Sequence, residues 1–412
     1  MSEHSMPKDR MRFLLLEGVS PSAVQSLAAD GYHNVERLSK ALESTALRDA
    51  LQGVHILGIR SRTRIDLESL TNADSLMAVG CFCIGTDQVN LSAARERGIP
   101  VFNAPFSNTR SVAELVLGEI VMLLRGIPAR STAAHAGRWE KSSEGSREVR
   151  GKTLGIVGYG NIGSQLSVLA EALGMRVAYF DTSSRLPHGN ATRMDTLHDL
   201  LAASDVVSLH VPEDAGTVGM IGMEEVNRMR HGAVLINNAR GRLVDLDAVA
   251  SALRSGHLQG GAFDVFPQEP GRNGDVFSCP LQGIPNVIIT PHIGGSTEEA
   301  QDRIGSEVAR RLADYIDVGS TTGSVNFPQV QLPIRSSGTR YMHVHRNIPG
   351  ILQRINSVLS ARGLNISAQY LQTDGDLGYV VVEADGQTQD AQEVLAELHA
   401  LEGTVRARLL HE

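Results

Sequence analysis

Short apolar runs alternate along most of the chain with stretches whose apolar positions recur every three or four residues. Phe13 to Leu16, Val54 to Ile59 and Leu76 to Cys83 read as strands, Pro21 to Ala29 and Leu91 to Glu96 as helices, the first ending at Gly31. Such alternation predicts parallel sheets covered on both faces, because each crossover helix must pack back on the sheet it leaves. An apolar helix, Ser111 to Leu124, and a polar stretch, Ser142 to Arg150, precede a second series. Its strands are Thr153 to Val157, Arg176 to Phe180, Asp205 to Val211, Ala233 to Asn237, Gly261 to Val265 and Val287 to Thr290, enough for a doubly wound sheet. After a helix from Arg303 to Asp317, the Ser-, Thr-, Gly- and Pro-rich stretch Ser320 to Gly338 reads as a linker. The remainder follows a β-α-β-β-α-β order, the ferredoxin-like plan, with a turn at Asp374-Gly375-Asp376.

A length of 412 residues implies two or three domains, and 42% hydrophobic with only 4% aromatic residues implies aliphatic cores. The net charge of -8 argues against nucleic acid as the main partner. Three cysteines, Cys81, Cys83 and Cys279, make neither a disulfide framework nor a structural zinc site, so no metal is expected and a reduced, cytoplasmic setting is. Phe13 to Leu16 is too short for a signal-peptide core, and Ser111 to Leu124 carries Glu114 and Glu119, so no membrane association is expected.

Directly after the strand Thr153 to Val157 comes Gly158-Tyr159-Gly160-Asn161-Ile162-Gly163, opening a helix with Ile162, Leu166, Leu169 and Leu173 on one face. In that context Gly158 allows a tight turn, Gly160 lets backbone approach a pyrophosphate, and Gly163 lets helix and strand pack closely. The helix N-terminus offers free N–H groups to the phosphates. Asp181, at the end of the next strand, is placed to bind the adenosine ribose diol, and its charge favours NAD over NADP, with Arg185 softening that preference.

Three polar residues follow later strands, where a doubly wound sheet places its chemistry: Arg240, Glu269 and His292. Histidine suits removal of a hydroxyl proton near neutrality, a carboxylate paired with it fixes the tautomer, and an arginine grips a substrate carboxylate. Each alone has a plainer reading, as a surface ion pair, a solvated acid or a helix cap. Arg60-Ser61-Arg62, at the end of Val54 to Ile59, makes a short basic loop suited to a phosphate; a merely solvated turn is the alternative. Lys141 is a weaker candidate, and its neighbour Trp139 reads as an anchor between subunits or domains.

Cys81 to Thr86, Val101 to Glu114, Gly158 to Gly163, Asp264 to Pro270 and Thr290 to Gly295 closely resemble the D-isomer-specific 2-hydroxyacid dehydrogenase family, in particular its bacterial members acting on 3-phosphoglycerate. The resemblance runs almost end to end. It implies an α/β architecture in which a Rossmann-type domain, 108–295, is inserted in a flavodoxin-like substrate domain, 1–107 and 296–337. Crossings near Ser107 to Ser111 and Gly294 to Thr297 would then permit lobe closure. It implies oxidation of 3-phospho-D-glycerate to 3-phosphohydroxypyruvate by NAD, the entry step of serine synthesis, with Arg240, Glu269 and His292 as the catalytic set. Implied cofactor contacts are Gly158, Gly160, Asn161, Ile162, Gly163 and Asp181, then Asn238, Ala239, Arg240, Asp264, His292, Ile293, Gly294 and Gly295. Implied substrate contacts are Arg60, Ser61, Arg62, Asn108, Lys141 and Arg240. One departure stands out: where the family has Asn-Ala-Ser-Arg-Gly, this chain has Asn237-Asn238-Ala239-Arg240-Gly241. Some such enzymes also reduce 2-oxoglutarate to 2-hydroxyglutarate, which the same site would accommodate.

The segment 338–412 resembles an ACT domain, an amino-acid-binding regulatory module. Six Arg and no Lys against nine Asp and Glu give it a net charge of -3, which disfavours RNA. The resemblance implies feedback inhibition by L-serine through His345, Asn347 and Asn365, and a homotetramer joined through Rossmann and ACT interfaces. A purely structural pairing module is the alternative. His343 and His345 share a strand face without a third metal ligand. Two rivals stay open for the whole chain. One is a different D-2-hydroxyacid dehydrogenase, such as a hydroxypyruvate or glyoxylate reductase; the other is a non-catalytic NAD-sensing scaffold.

Overall fold

Three sheets organise the chain in a computed structural model that describes residues 7–71, 73–271, 274–333, 339–385 and 388–410. Two compact units result, Met1–Ser107 with Gln301–Glu412, and Asn108–Ala300.

The first unit begins with β1 (Phe13–Leu15), α1 (Pro21–Ala29), β2 (Val35–Arg37), α2 (Ser44–Ala50), β3 (Ile56–Ile59), β4 (Ala78–Cys81), α3 (Leu91–Glu96) and β5 (Val101–Phe102). The strands form a parallel sheet of order β2-β1-β3-β4-β5, the flavodoxin-like arrangement. β1, β3, β4 and β5 are buried throughout, as their unbroken aliphatic runs require when helices cover both faces. Its topological switch point falls between β1 and β3, whose neighbours are reached by connections running in opposite directions.

The second unit carries α4 (Thr109–Leu124), α5 (Ile127–His135), β6 (Thr153–Val157), α6 (Asn161–Ala172), β7 (Arg176–Phe180), β8 (Thr192–Arg193), α7 (Leu197–Ala203), β9 (Val206–Leu209), α8 (Met223–Arg228), β10 (Ala233–Asn237), α9 (Leu246–Ser255), β11 (Leu258–Phe263) and β12 (Val287–Ile289). Its sheet has the order β12-β11-β10-β9-β6-β7-β8, entirely parallel. The six expected strands are present, several trimmed at their ends, and β8, two residues long, adds a seventh at one edge. α4 buries Val112, Val116, Ile120 and Leu123 in one core with Leu154, Ile156 and Val234 of the sheet.

α10 (Glu298–Val318) returns the chain to the first unit, where β13 (Thr339–Arg346), α11 (Ile351–Ala361), β14 (Asn365–Asp374), β15 (Leu377–Asp385), α12 (Thr388–Ala400) and β16 (Thr404–Leu410) complete it. These four strands make an antiparallel sheet of order β14-β15-β13-β16, the expected βαββαβ plan. One face packs on α11 and α12 through Ile355, Leu359, Val380, Val394 and Leu398. From the other, Met342, Val344, Tyr379 and Val381 join one core with Phe13, Leu15, Leu312 and Tyr315.

The stretch expected as a linker is packed where it is described. Ser320, Thr321, Ser324 and Asn326 are buried, and the Asn326 amide accepts from Val101 N at 2.8 Å while donating to Ile99 O at 3.0 Å. Its polar composition reflects side chains that satisfy the open edge of β5, a task a composition reading cannot distinguish from solvation. Residues 334–338 of that stretch, and residues 1–6 of the polar N-terminus, lie outside the described residues. Among the described residues no helix is long and apolar enough to cross a membrane.

Candidate active site

The nucleotide fingerprint closes the β6 end of the second unit. Gly158 adopts φ +91°, and a Cβ there would run into the His210 carbonyl; one at Gly163 would overlap the Gly158 carbonyl. A Cβ at Gly160 would meet nothing, so open space lies beside the N-cap of α6. Asp181, past β7, accepts from Tyr159 N and Ser183 N, both at 2.8 Å, and lies 3.5 Å from Arg185. A carboxylate has about four acceptor sites, so capacity remains for a ribose diol. The glycine cradle, helix N-terminus and acid together fit a dinucleotide such as NAD. His210, not anticipated, ends β9 beside this loop; its Nε2 lies 2.9 Å from Ser208 Oγ and burial lowers its pKa to about 4, keeping the ring neutral.

Loops after β10, β11 and β12 bring Arg240, Glu269 and His292 together. Gly241 permits it, since a Cβ there would overlap the Phe266 backbone. His292 Nδ1 lies 2.8 Å from Glu269 Oε2, and Glu269 Oε1 accepts from Phe266 N at 3.1 Å. The hydrogen bond to Glu269 raises the His292 pKa; burial opposes it, and the charges of Glu269 and Asp264 add to the rise. For Glu269, burial acts upward, but the bond and charge of His292, the Phe266 N–H and the Arg240 charge hold it below the usual carboxylate value. Arg240 Nη1 donates to Ala239 O at 2.8 Å, and the guanidinium forms no ion pair among the described residues. A cation held near the histidine without a carboxylate of its own suits an anionic substrate.

His292 sits at φ +54°, a left-handed conformation costing of order 1–3 kcal/mol for a non-glycine residue. Asp264 holds it there. The Asp264 backbone carbonyl accepts from His292 N at 2.8 Å, and its buried carboxylate accepts from Thr290 Oγ1 (2.6 Å), Ile293 N (2.8 Å) and Gly294 N (2.7 Å). These four bonds fix the loop on both sides of the imidazole. Asp264, expected among cofactor contacts, thus directs its carboxylate to the loop bearing the histidine. Gly295 lies against the Asn108 amide, where a Cβ would collide.

Asn238 and Ala239, the departing residues, are nearly buried. Asn238 Nδ2 donates to Glu119 Oε2 of α4 at 2.8 Å, so its side chain serves the interior. Among the described residues, Glu119 Oε1 and Asn238 Oδ1 are both buried without a partner. Burial, opposed by the Asn238 bond and assisted by the charge of Asp264, raises the Glu119 pKa to about 8. Lys141 is exposed and Trp139 is 87% exposed.

In the first unit, Arg60, Ser61 and Arg62 follow β3 at the switch point, where open α/β sheets bind ligands. In the ferredoxin-like part, Asn347 is exposed, with its backbone N donating to Asp376 O at 2.8 Å and Nδ2 to Gly375 O at 3.1 Å. Asn365 is exposed at the start of β14. His345 is buried instead, its ring against Gly378 and its Nδ1 3.4 Å from His343 Nδ1. A strand alternates its faces, and β13 is central, so the position that looks adjacent to the loop in sequence points into the core.

Residues 117–294 match the D-isomer specific 2-hydroxyacid dehydrogenase, NAD binding domain, and residues 341–406 match an AHAS small subunit-like ACT domain. The chain is 52% identical over 411 residues to D-3-phosphoglycerate dehydrogenase of Escherichia coli (strain K12), covering 100% of both chains. It is 53% identical over 407 residues to the protein of the same name from Haemophilus influenzae, covering 99% of both. Among solved structures, D-lactate dehydrogenase from Aquifex aeolicus, complexed with NAD and lactic acid, is similar with a TM-score of 0.66 at 26% identity, over 77% of this chain and 100% of that one. With its fingerprint, strand order and strand-end residues in place, the chain belongs to the D-isomer specific 2-hydroxyacid dehydrogenase family.

Proposed function

We propose that this NAD-dependent enzyme oxidises 3-phospho-D-glycerate to 3-phosphohydroxypyruvate, the entry step of L-serine synthesis. The observation that carries the chemistry is the 2.8 Å contact between His292 Nδ1 and Glu269 Oε2 beside Arg240. With Nδ1–H committed to Glu269, the Nε2 lone pair of neutral His292 takes the substrate hydroxyl proton. Glu269 then stabilises the imidazolium that forms. Arg240 binds the substrate carboxylate through paired N–H groups and draws electron density from the neighbouring carbonyl as it develops. Bound NAD supplies the hydride acceptor, held by the Gly158 to Gly163 turn and Asp181. Arg60, Ser61 and Arg62 take the substrate phosphate, which separates this reading from a hydroxypyruvate or glyoxylate reductase.

L-Serine is the proposed effector, bound at the ACT-like part through the exposed amides of Asn347 and Asn365, with His345 supporting the strand beneath. The assembly in this reading is a homotetramer joined through the nucleotide-binding and ACT-like parts, with exposed Trp139 as an anchor, and the free thiols suit the cytoplasm. NADH oxidation by the purified chain with 3-phosphohydroxypyruvate, with and without L-serine, tests reaction and regulation together. No preference over unphosphorylated hydroxypyruvate would refute the substrate. Serine inhibition that survives Asn347→Ala with Asn365→Ala would refute the effector site. The same assay with 2-oxoglutarate measures the side activity.

A further inference from the structure

Glu17 is a carboxylate that the proposed chemistry does not use, yet the fold takes unusual trouble to place it. It lies just beyond β1, is 3% exposed, and adopts φ +61°, a conformation that costs a non-glycine residue of order 1–3 kcal/mol. Its carboxylate reaches across the switch point to the loop after β3. Oε1 accepts from Arg60 N at 3.1 Å and Thr63 N at 2.8 Å, and Oε2 accepts from Arg62 N at 2.9 Å. The Arg62 Nε lies 3.6 Å from Oε2, with that guanidinium half exposed. From the other side, Gln88 Nε2 donates to Arg60 O at 2.6 Å.

Converging backbone N–H groups in a strand-end loop are themselves an anion site. Here the protein's own carboxylate fills it, so an incoming phosphate is left to the side chains that project from the loop. The same three bonds dictate where those side chains start, since the backbone of Arg60, Arg62 and Thr63 is pinned to one rigid acid.

We propose that Glu17 is a positioning residue for substrate-phosphate recognition, holding the Arg60–Thr63 loop so that Arg60 and Arg62 present their guanidinium groups to the phosphate. This rests on the phosphate site proposed above. A group that only stabilised the fold would affect every substrate alike, whereas this role weights the loss toward phosphorylated ones. Glu17→Gln keeps the shape but turns an NH2 toward one of the N–H donors, which opens the loop.

The test measures NADH oxidation by the full-length chain with 3-phosphohydroxypyruvate and with hydroxypyruvate for wild type, Glu17→Gln, Gln88→Leu and Arg60→Ala, with Tm recorded for each. Glu17→Gln is expected to lower kcat/KM for the phosphorylated substrate about tenfold or more, mostly through KM, and to cut the preference for phosphate by a comparable factor. Gln88→Leu is expected to give a smaller loss in the same direction. Equal losses on both substrates, or none, while Arg60→Ala still erases the preference, would overturn the role of Glu17 alone. If Arg60→Ala leaves the preference intact, the phosphate site fails and this inference with it. Should Glu17→Gln not fold, Gln88→Leu decides: an unaltered preference overturns the proposal.

Discussion

The buried Glu119 makes a measurable demand on folding. Its pKa rises from 4.5 to about 8 because α4 and the sheet exclude water from it. Near neutrality the unfolded chain carries this carboxylate ionised and the folded chain carries it protonated, so folding takes up a proton. The folded pKa lies above the unfolded one, so the stability associated with the proton is intact below about pH 4.5 and is lost as pH rises toward 8. Each unit is worth about 1.4 kcal/mol, so at pH 7 the loss is about 3 kcal/mol. The proton also has a destination: with it, Glu119 Oε1 can donate to Asn238 Oδ1, pairing two buried oxygens that otherwise have no partner. Glu119→Gln supplies an N–H in place of that O–H and never titrates. Urea unfolding of both proteins at one concentration and at pH 5, 6, 7 and 8 measures the difference. The variant should gain on wild type as pH rises, by up to about 1.4 kcal/mol per unit, which amounts to roughly 2–3 kcal/mol between pH 5 and pH 7. A difference that does not vary with pH would refute the buried acid.

Other expectations concern the site. His292→Ala should lower kcat by about 10²–10⁴-fold, read by steady-state kinetics; wild-type turnover would remove the base assignment. Glu269→Gln replaces the charged acceptor that raises the His292 pKa by a neutral one, so the acid limb of the kcat/KM profile for oxidation should move to lower pH, and an unmoved limb would show that another group sets it. Asp181→Ala should raise the NADP-to-NAD ratio of kcat/KM, since the like charge facing a 2′-phosphate is gone while Arg185 stays.

What can be read from the sequence, and what cannot, divides along a physical line. The strand-end positions of Gly158, Gly163, Arg240, Glu269 and His292, from which their roles are proposed, are legible because strand ends are marked by where apolar runs stop. β2, β5 and β8 carry no such mark, being defined by their neighbours' hydrogen bonds rather than by a pattern of their own. The carboxylates are harder still. Glu17 and Asp264 bind mostly backbone N–H groups, and an N–H looks the same in every residue, so partner residue type betrays little of their role. A clue is positional: Glu17 and Asp264 both lie just past the end of a strand. Asn238 illustrates the same limit. Its sequence position beside Arg240 suggests cofactor contacts, but its amide is answered by an acid on α4 that lies 119 residues earlier, and only the packing of that helix on the sheet joins them. The residues proposed for the chemistry announce themselves by type and place, while Glu17 and Asp264 hold their loops largely through the backbone, which sequence type does not reveal.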